Sequence, residues 1–140
     1  MWVAGVPTTA GALPTAGMAT YTGHAIANIA NGTAGLTYLA AGGFSNTVNF
    51  GARTGAVSIT GLDGANYAGT VALTPGATTF ATAAASPLAG TIGSRTAAIN
   101  GSFFRGGATN TTPLYGEMGG SLILNGTGYL GSGIFAARKP

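Results

Sequence analysis

Few residues in this chain can carry polar chemistry: Asp63, Glu117, His24 and the cations Arg53, Arg95, Arg105, Arg138 and Lys139. With no Cys and one His, the chain has no disulfide framework, no thiolate nucleophile and no Cys/His zinc site. His24 is the one candidate for holding a cofactor such as haem or a metal ion. A single imidazole without neighbouring Cys, Asp or Glu is poor coordination chemistry, so an exposed or backbone-bonded histidine is the plainer reading, and no cofactor is expected. Two carboxylates could hydrolyse a glycoside only by facing each other across roughly 5–10 Å, and nothing in the placement of Asp63 and Glu117 arranges this. Ser45 or Ser58 with His24 lacks the strand–turn–helix context of a nucleophile elbow. The chain therefore reads as non-enzymatic. Asp63, just before Gly64, is expected to support a turn through its own backbone. Glu117 is expected to form a bidentate pair with Arg53, Arg95 or Arg105; the alternative is a solvated charge of little energetic value.

The elements that must position these groups follow from composition and alternation. Gly (26), Ala (27) and Thr (21) dominate the 140 residues, while Leu, Ile, Val and Phe supply only 28. Disorder normally combines such low bulk with high net charge. Here the net charge is +3 and the charged fraction 5%, so a collapsed sheet with a thin, aromatic-weighted core is expected. The pI is near 9.7, but the cations form no cluster along the chain, which argues against a nucleic-acid surface. No run of about 18 apolar residues could make a spanning helix. No leader of basic and apolar regions opens the chain, so an export signal would have to lie upstream.

Residues 1–17, with Pro7 and Pro14, read as an extended lead-in carrying one early edge strand at Trp2-Val3-Ala4. A period of two then begins, with Ala19, Tyr21, Gly23, Ala25, Ala27 and Ile29 on one face and Thr20, Thr22, His24 and Asn28 on the other. Asn31-Gly32 has the composition of a type I′ hairpin turn. A return strand runs from Thr37 to Phe44, and further strands hold Val48 and Phe50, Val57 and Ile59, and Tyr67 to Leu73. Asp63-Gly64 and Asn125-Gly126 are two more hairpin signals. Residues 77–96 predict one short or irregular strand broken at Pro87. Strands follow at Ala97–Phe104, Ser121–Leu124 and Tyr129–Ala136, with Gly106–Thr112 a loop and Pro113–Met118 a helical turn. No segment shows helical periodicity over three turns. The pattern is all-β: one antiparallel, closed, eight-stranded barrel over residues 18–138 with one short helical turn before the last hairpin. Closure removes the exposed edge that a Thr/Ala/Gly sheet with few Lys would otherwise present.

Gly101-Ser102-Phe103-Phe104, the run from Tyr115 to Leu122 containing Glu117-Met118-Gly119-Gly120, and the closing Gly131-Ser132-Gly133-Ile134-Phe135-Ala136-Ala137-Arg138 resemble the last two hairpins of the β-barrel domain of transferrin-binding protein B. Tyr21-Thr22-Gly23, the run from Gly43 to Gly51, and Arg53-Thr54 are similar to its opening strands. The resemblance spans about residues 18–138 and extends to barrels appended to FecR-like proteins and to other Gram-negative surface lipoproteins. It implies a Gram-negative cell-envelope setting (cell surface, outer membrane-associated or periplasmic) and a binding or scaffold role linked to iron or haem acquisition or to a host partner. It also implies structural roles for Glu117, Gly119, Gly120, Phe44, Phe50, Phe103 and Phe135, beside the turn residues Asn31, Gly32, Asn125 and Gly126. The sequence departs from the family in three ways. Gly116 stands where a second carboxylate is expected, and both the lipidated Cys and the handle domain that carries much of transferrin recognition are missing. An unidentified protein or small ligand is the expected partner of a monomeric domain that binds no nucleic acid and does not insert into a membrane. The competing readings are an integral outer-membrane barrel, disfavoured by strands without an apolar band and aromatic girdles, and a Thr-rich adhesive or ice-binding surface, for which the Thr residues are too scattered.

Overall fold

The structure, a computed structural model, describes residues 5–106 and 114–140; the strand expected at Trp2–Ala4 lies outside them, as do residues 107–113 with Pro113. Alternating inward apolar and outward small or polar side chains produce nine strands. They are β1 (Met18–Asn31), β2 (Leu36–Asn49), β3 (Thr54–Leu62), β4 (Ala65–Leu73), β5 (Thr79–Ala81), β6 (Leu88–Gly90), β7 (Thr96–Phe104), β8 (Glu117–Gly126) and β9 (Tyr129–Arg138). The two segments expected around Thr37–Phe44 and Val48–Phe50 are one 14-residue strand, β2. Each strand pairs antiparallel with its neighbours, and β9 returns to β1 from Thr22↔Arg138 to Asn31↔Tyr129, closing the ring. No helix among the described residues is long and apolar enough to cross a membrane.

The ring has eight staves because β5 and β6 share one. Both pair with β4 on one side and β7 on the other. Ala72 faces Ala81, so an uninterrupted strand would place Ala85 opposite Ala68; Ala89 stands there instead. Four additional residues are therefore looped out, and the Ser86 amide donates to the Ala83 carbonyl at 3.0 Å to close that loop. The weak pattern of 77–96 is the signature of this broken stave.

Two turn assignments and the helical turn need correction. The β1–β2 connection is a four-residue loop at 32–35 in which Gly35, at φ 68°, takes the left-handed conformation. Asn31 instead accepts the Ala34 amide at 3.1 Å through its side chain. The β8–β9 turn is Thr127-Gly128, with Gly128 at φ 62°, while Asn125 and Gly126 are still paired in the ladder. In both cases the long coiled strands continue past the dipeptide. Asp63-Gly64 is the tight two-residue turn, with φ of 52° and 74°. The helical turn lies at Ala10–Ala12; Glu117 and Met118 already belong to β8, because Met118 must alternate inward with Leu122 and Leu124.

Side chains fill the interior. Phe44 stacks on Phe135 with centroids 4.4 Å apart, and Phe80 links Phe135 to Phe103 at 6.1 and 5.4 Å. Phe103 meets Tyr21 and Phe50 at 5.7 and 6.0 Å. Gly101 permits this packing, since a β-carbon there would stand 2.5 Å from the Phe80 ring and 2.8 Å from Phe135. Residues 5–17 close one end. Thr8 is buried, its amide donating to the Phe103 carbonyl and its hydroxyl to the Leu114 carbonyl, and Leu13 joins the core.

Candidate functional site: the rim opposite the lead-in

Strand directions place the 32–35, 63–64, 91–95 and 127–128 connections at the end of the barrel away from residues 5–17. Beneath this rim lies an ion pair. Arg95 Nη1 is 3.5 Å from Asp63 Oδ2, with the two side chains 16% and 19% exposed. The same oxygen accepts the hydroxyls of Tyr38 and Tyr129, each at 2.8 Å. Arg95 also donates to the Asp63 carbonyl at 3.3 Å, and its guanidinium sits 3.8 Å from the centre of the Tyr129 ring. The tight turn aims Asp63 inward, and tyrosines from β2 and β9 converge on it.

Burial, reinforced by the bond to the Asp63 carboxylate, pushes the Tyr129 phenol far above its ordinary pKa. Burial also raises Tyr67, against a lowering pull from Arg95. The cluster is neutral overall and locks the upper end through charge-assisted bonds.

Above it opens a cavity of about 570 Å³ whose walls include Asn31, Thr33, Ser94, Arg95, Thr127 and Tyr129. Its loops are tied to one another. The Gly32 amide donates to the Gly128 carbonyl at 2.8 Å, and the Thr127 amide donates to Ser94 Oγ at 3.1 Å. A mouth held in this way loses little freedom on meeting a ligand.

The expected site residues are distributed as follows. Phe44, Phe50, Phe103 and Phe135 are buried in the core. Asn31 lines the mouth, and Asn125 and Gly126 lie in the ladder below it. Glu117 is at the opposite end, facing outward, with Phe104 and Arg138 beside it in the ladder. The ion pair expected for it is absent among the described residues: Arg95 is engaged by Asp63, and Arg53 donates to the Thr74 carbonyl at 2.8 Å. Gly119 sits on the outer face opposite Ala136, and Gly120 faces inward where a β-carbon would strike the Asn100 carbonyl. Exposed His24 shares a shallow outer groove of about 400 Å³ with Thr22, Glu117 and Arg138. No group of three His, Asp or Glu able to hold a metal occurs among the described residues. The Asp63/Arg95/tyrosine cluster was not read from the sequence; its signal was Asp63 at a hairpin tip on the same end as Arg95.

An all-β ring of eight staves with a packed interior and a looped rim defines the class. No family model matches the chain, and no curated protein is similar to it. Among solved structures it is similar to the vaccine antigen transferrin binding protein B of Haemophilus parasuis Hp5, with TM-score 0.66 and 15% identity over 95% of this chain and 28% of that one. It is also similar to isotype 1 transferrin binding protein B of serogroup B Neisseria meningitidis, with TM-score 0.61 and 18% identity over 96% of this chain and 27% of that one. The fold is a transferrin-binding protein B-like β-barrel, and the chain spans somewhat over a quarter of the solved chains it matches.

Proposed function

We propose that this barrel is a non-enzymatic binding or scaffold module of a Gram-negative cell-envelope protein, meeting its partner at the upper rim. The observation that carries this reading is the filled interior. Tyr21, Tyr67, Phe80, Phe103 and Phe135 are fully buried side chains occupying the space where a ligand-carrying barrel would be hollow, so recognition falls to the outside. On β3 and β4 the apolar side chains point inward, while Ala56, Ser58, Thr60, Asn66, Ala68 and Thr70 point outward. The exposed Ile26, Leu39, Ile123 and Leu130 of β1, β2, β8 and β9 are therefore not continued around the ring into the apolar band of an outer-membrane barrel. The carboxylates stand at opposite ends, which opposes paired-carboxylate hydrolysis. The likeness to transferrin-binding proteins supports iron- or host-linked binding as the first ligand class to test. The test is titration with iron-loaded transferrin, haemin, Zn²⁺ and a glycan panel, mapped by amide chemical shifts. The reading expects one of these to perturb 32–35, 91–95 and 127–128; a blank across the panel would leave a passive spacer.

A further inference from the structure

Folding gathers the chain's scattered cations. Arg53 follows β2, Arg105 follows β7, and Arg138 and Lys139 close β9, so four of the five cations lie at the lower end, where Glu117 is the only opposing side-chain charge. At the upper end, Arg95 and Asp63 cancel. The whole side-chain net charge of +3 is therefore carried by one end of the barrel.

Bulky apolar groups are exposed at that same end: Val6 at 62%, Met18 at 66% and Leu114 at 47%. They are not isolated from the cations. The Arg105 amide donates to the Val6 carbonyl at 2.9 Å, Arg105 and Leu114 line one depression, and the Lys139 amide donates to the Gly116 carbonyl at 2.8 Å. Half-buried Phe104 lies between Arg105 and the row holding Glu117 and Arg138. Soluble domains rarely place bulky apolar residues in a cationic field without a counterpart.

We propose that this lower end docks onto an anionic lipid surface. The cations meet headgroup phosphates and carboxylates while Val6, Leu114 and Met18 enter the interfacial layer; the barrel lies on the membrane without crossing it. An end built from several loops suits a soft, laterally mobile layer, in which each tip finds its own depth. An acidic protein would satisfy the charges but would have to match the apolar tips one by one.

The test is co-sedimentation of the full chain with vesicles of neutral phosphatidylcholine alone or with a substantial fraction of phosphatidylglycerol. Binding is expected to rise with the anionic fraction and to fall steeply with added salt. Each cation near such a surface contributes about fivefold in partitioning, so the double variant R105Q/R138Q should bind about 30-fold more weakly. V6S/L114S, which leaves every charge in place, should weaken binding without changing its salt dependence. Unchanged circular dichroism and melting would show that both variants fold. Equal binding to neutral and anionic vesicles, or none to either, would overturn the proposal. So would binding to soluble polyglutamate with no vesicle binding, which would reassign the end to an acidic protein.

Discussion

Replacing Asp63 should destabilise the barrel more than replacing any other charged residue. Its carboxylate accepts two tyrosine hydroxyls at 2.8 Å and stands 3.5 Å from Arg95. Hydrogen bonds to a charged acceptor contribute about 1.5–3 kcal/mol each. The ion pair, still partly open to water, is discounted to about 1 kcal/mol. Asp63→Asn keeps an acceptor and a side chain tolerant of the left-handed backbone, so its cost is about 2 kcal/mol. Asp63→Ala orphans both hydroxyls, leaves Arg95 facing the core rim without its counter-charge, and forces Ala to φ 52°. Its cost is about 4 kcal/mol. Asp63→Gly loses the carboxylate but relaxes the backbone, so it should fall about 1 kcal/mol short of Asp63→Ala. For a domain of this size 1 kcal/mol is about 3–4 °C in melting temperature. Thermal unfolding followed by circular dichroism should therefore show losses of about 7 °C for Asn and about 14 °C for Ala, with Gly between them. An Asn variant melting within about 1 °C of the parent would refute the reasoning.

Glu117→Ala should shift the melt by no more than about 2 °C, since surface charges without a close partner contribute a few tenths of a kcal/mol; a drop of several degrees would restore the paired Glu117 expected from the sequence. Gly101→Ala forces a methyl against Phe80 and Phe135, and should cost about 1–3 kcal/mol in urea unfolding; a neutral result would mean that the rings are not packed there. Deleting Ala84–Pro87 removes the four looped-out residues, so the variant should fold with a continuous stave in which Ala89 still faces Ala68 in nuclear Overhauser contacts; loss of folding would contradict the shared-stave reading. Tyr21, Tyr67 and Tyr129 have folded-state pKa values raised chiefly by burial. Their protonated forms are favoured in the fold, so their contribution is intact below the unfolded pKa of about 10. It is lost as pH rises beyond that, by up to about 1.4 kcal/mol per pH unit for each tyrosine. Tyrosinate absorbance should therefore appear together with unfolding above that pH; ionisation of all five tyrosines in the intact fold would contradict it.

Period-two alternation made the architecture legible. Tyr21, Ala25, Ala27 and Ile29 on one face of β1, and Tyr67, Val71 and Leu73 on one face of β4, are each buried. Turn dipeptides were a weaker guide. Asn31-Gly32 and Asn125-Gly126 have hairpin chemistry, yet the ladder runs through or beyond them, because cross-strand pairing outweighs a local preference worth a fraction of a kcal/mol. Of the helical turn expected over 113–118, Glu117 and Met118 instead belong to β8, because Met118 must face inward. Residues 77–96 gave little signal because a stave of two three-residue strands is too short to show a period. The upper cluster was hidden for a different reason. Asp63, Tyr38, Arg95 and Tyr129 are far apart in sequence, and only the antiparallel order of the staves brings them to one end. That same order brings Arg53 and Arg105, isolated in the linear sequence, to the end that holds Arg138 and Lys139.

The claim on which the rest depends is that β9 pairs with β1 to close the ring around a solid core. Amide hydrogen exchange resolved by residue tests it directly at Ile26, Asn28, Ile134 and Ser132, whose amides bond across that seam. Closure predicts that the seam amides exchange as slowly as those of the β8–β9 pair, with nuclear Overhauser contacts between Ala25 and Phe135. Rapid exchange along the facing edges of β1 and β9, with no contact between them, would mean an open sheet and would contradict the account.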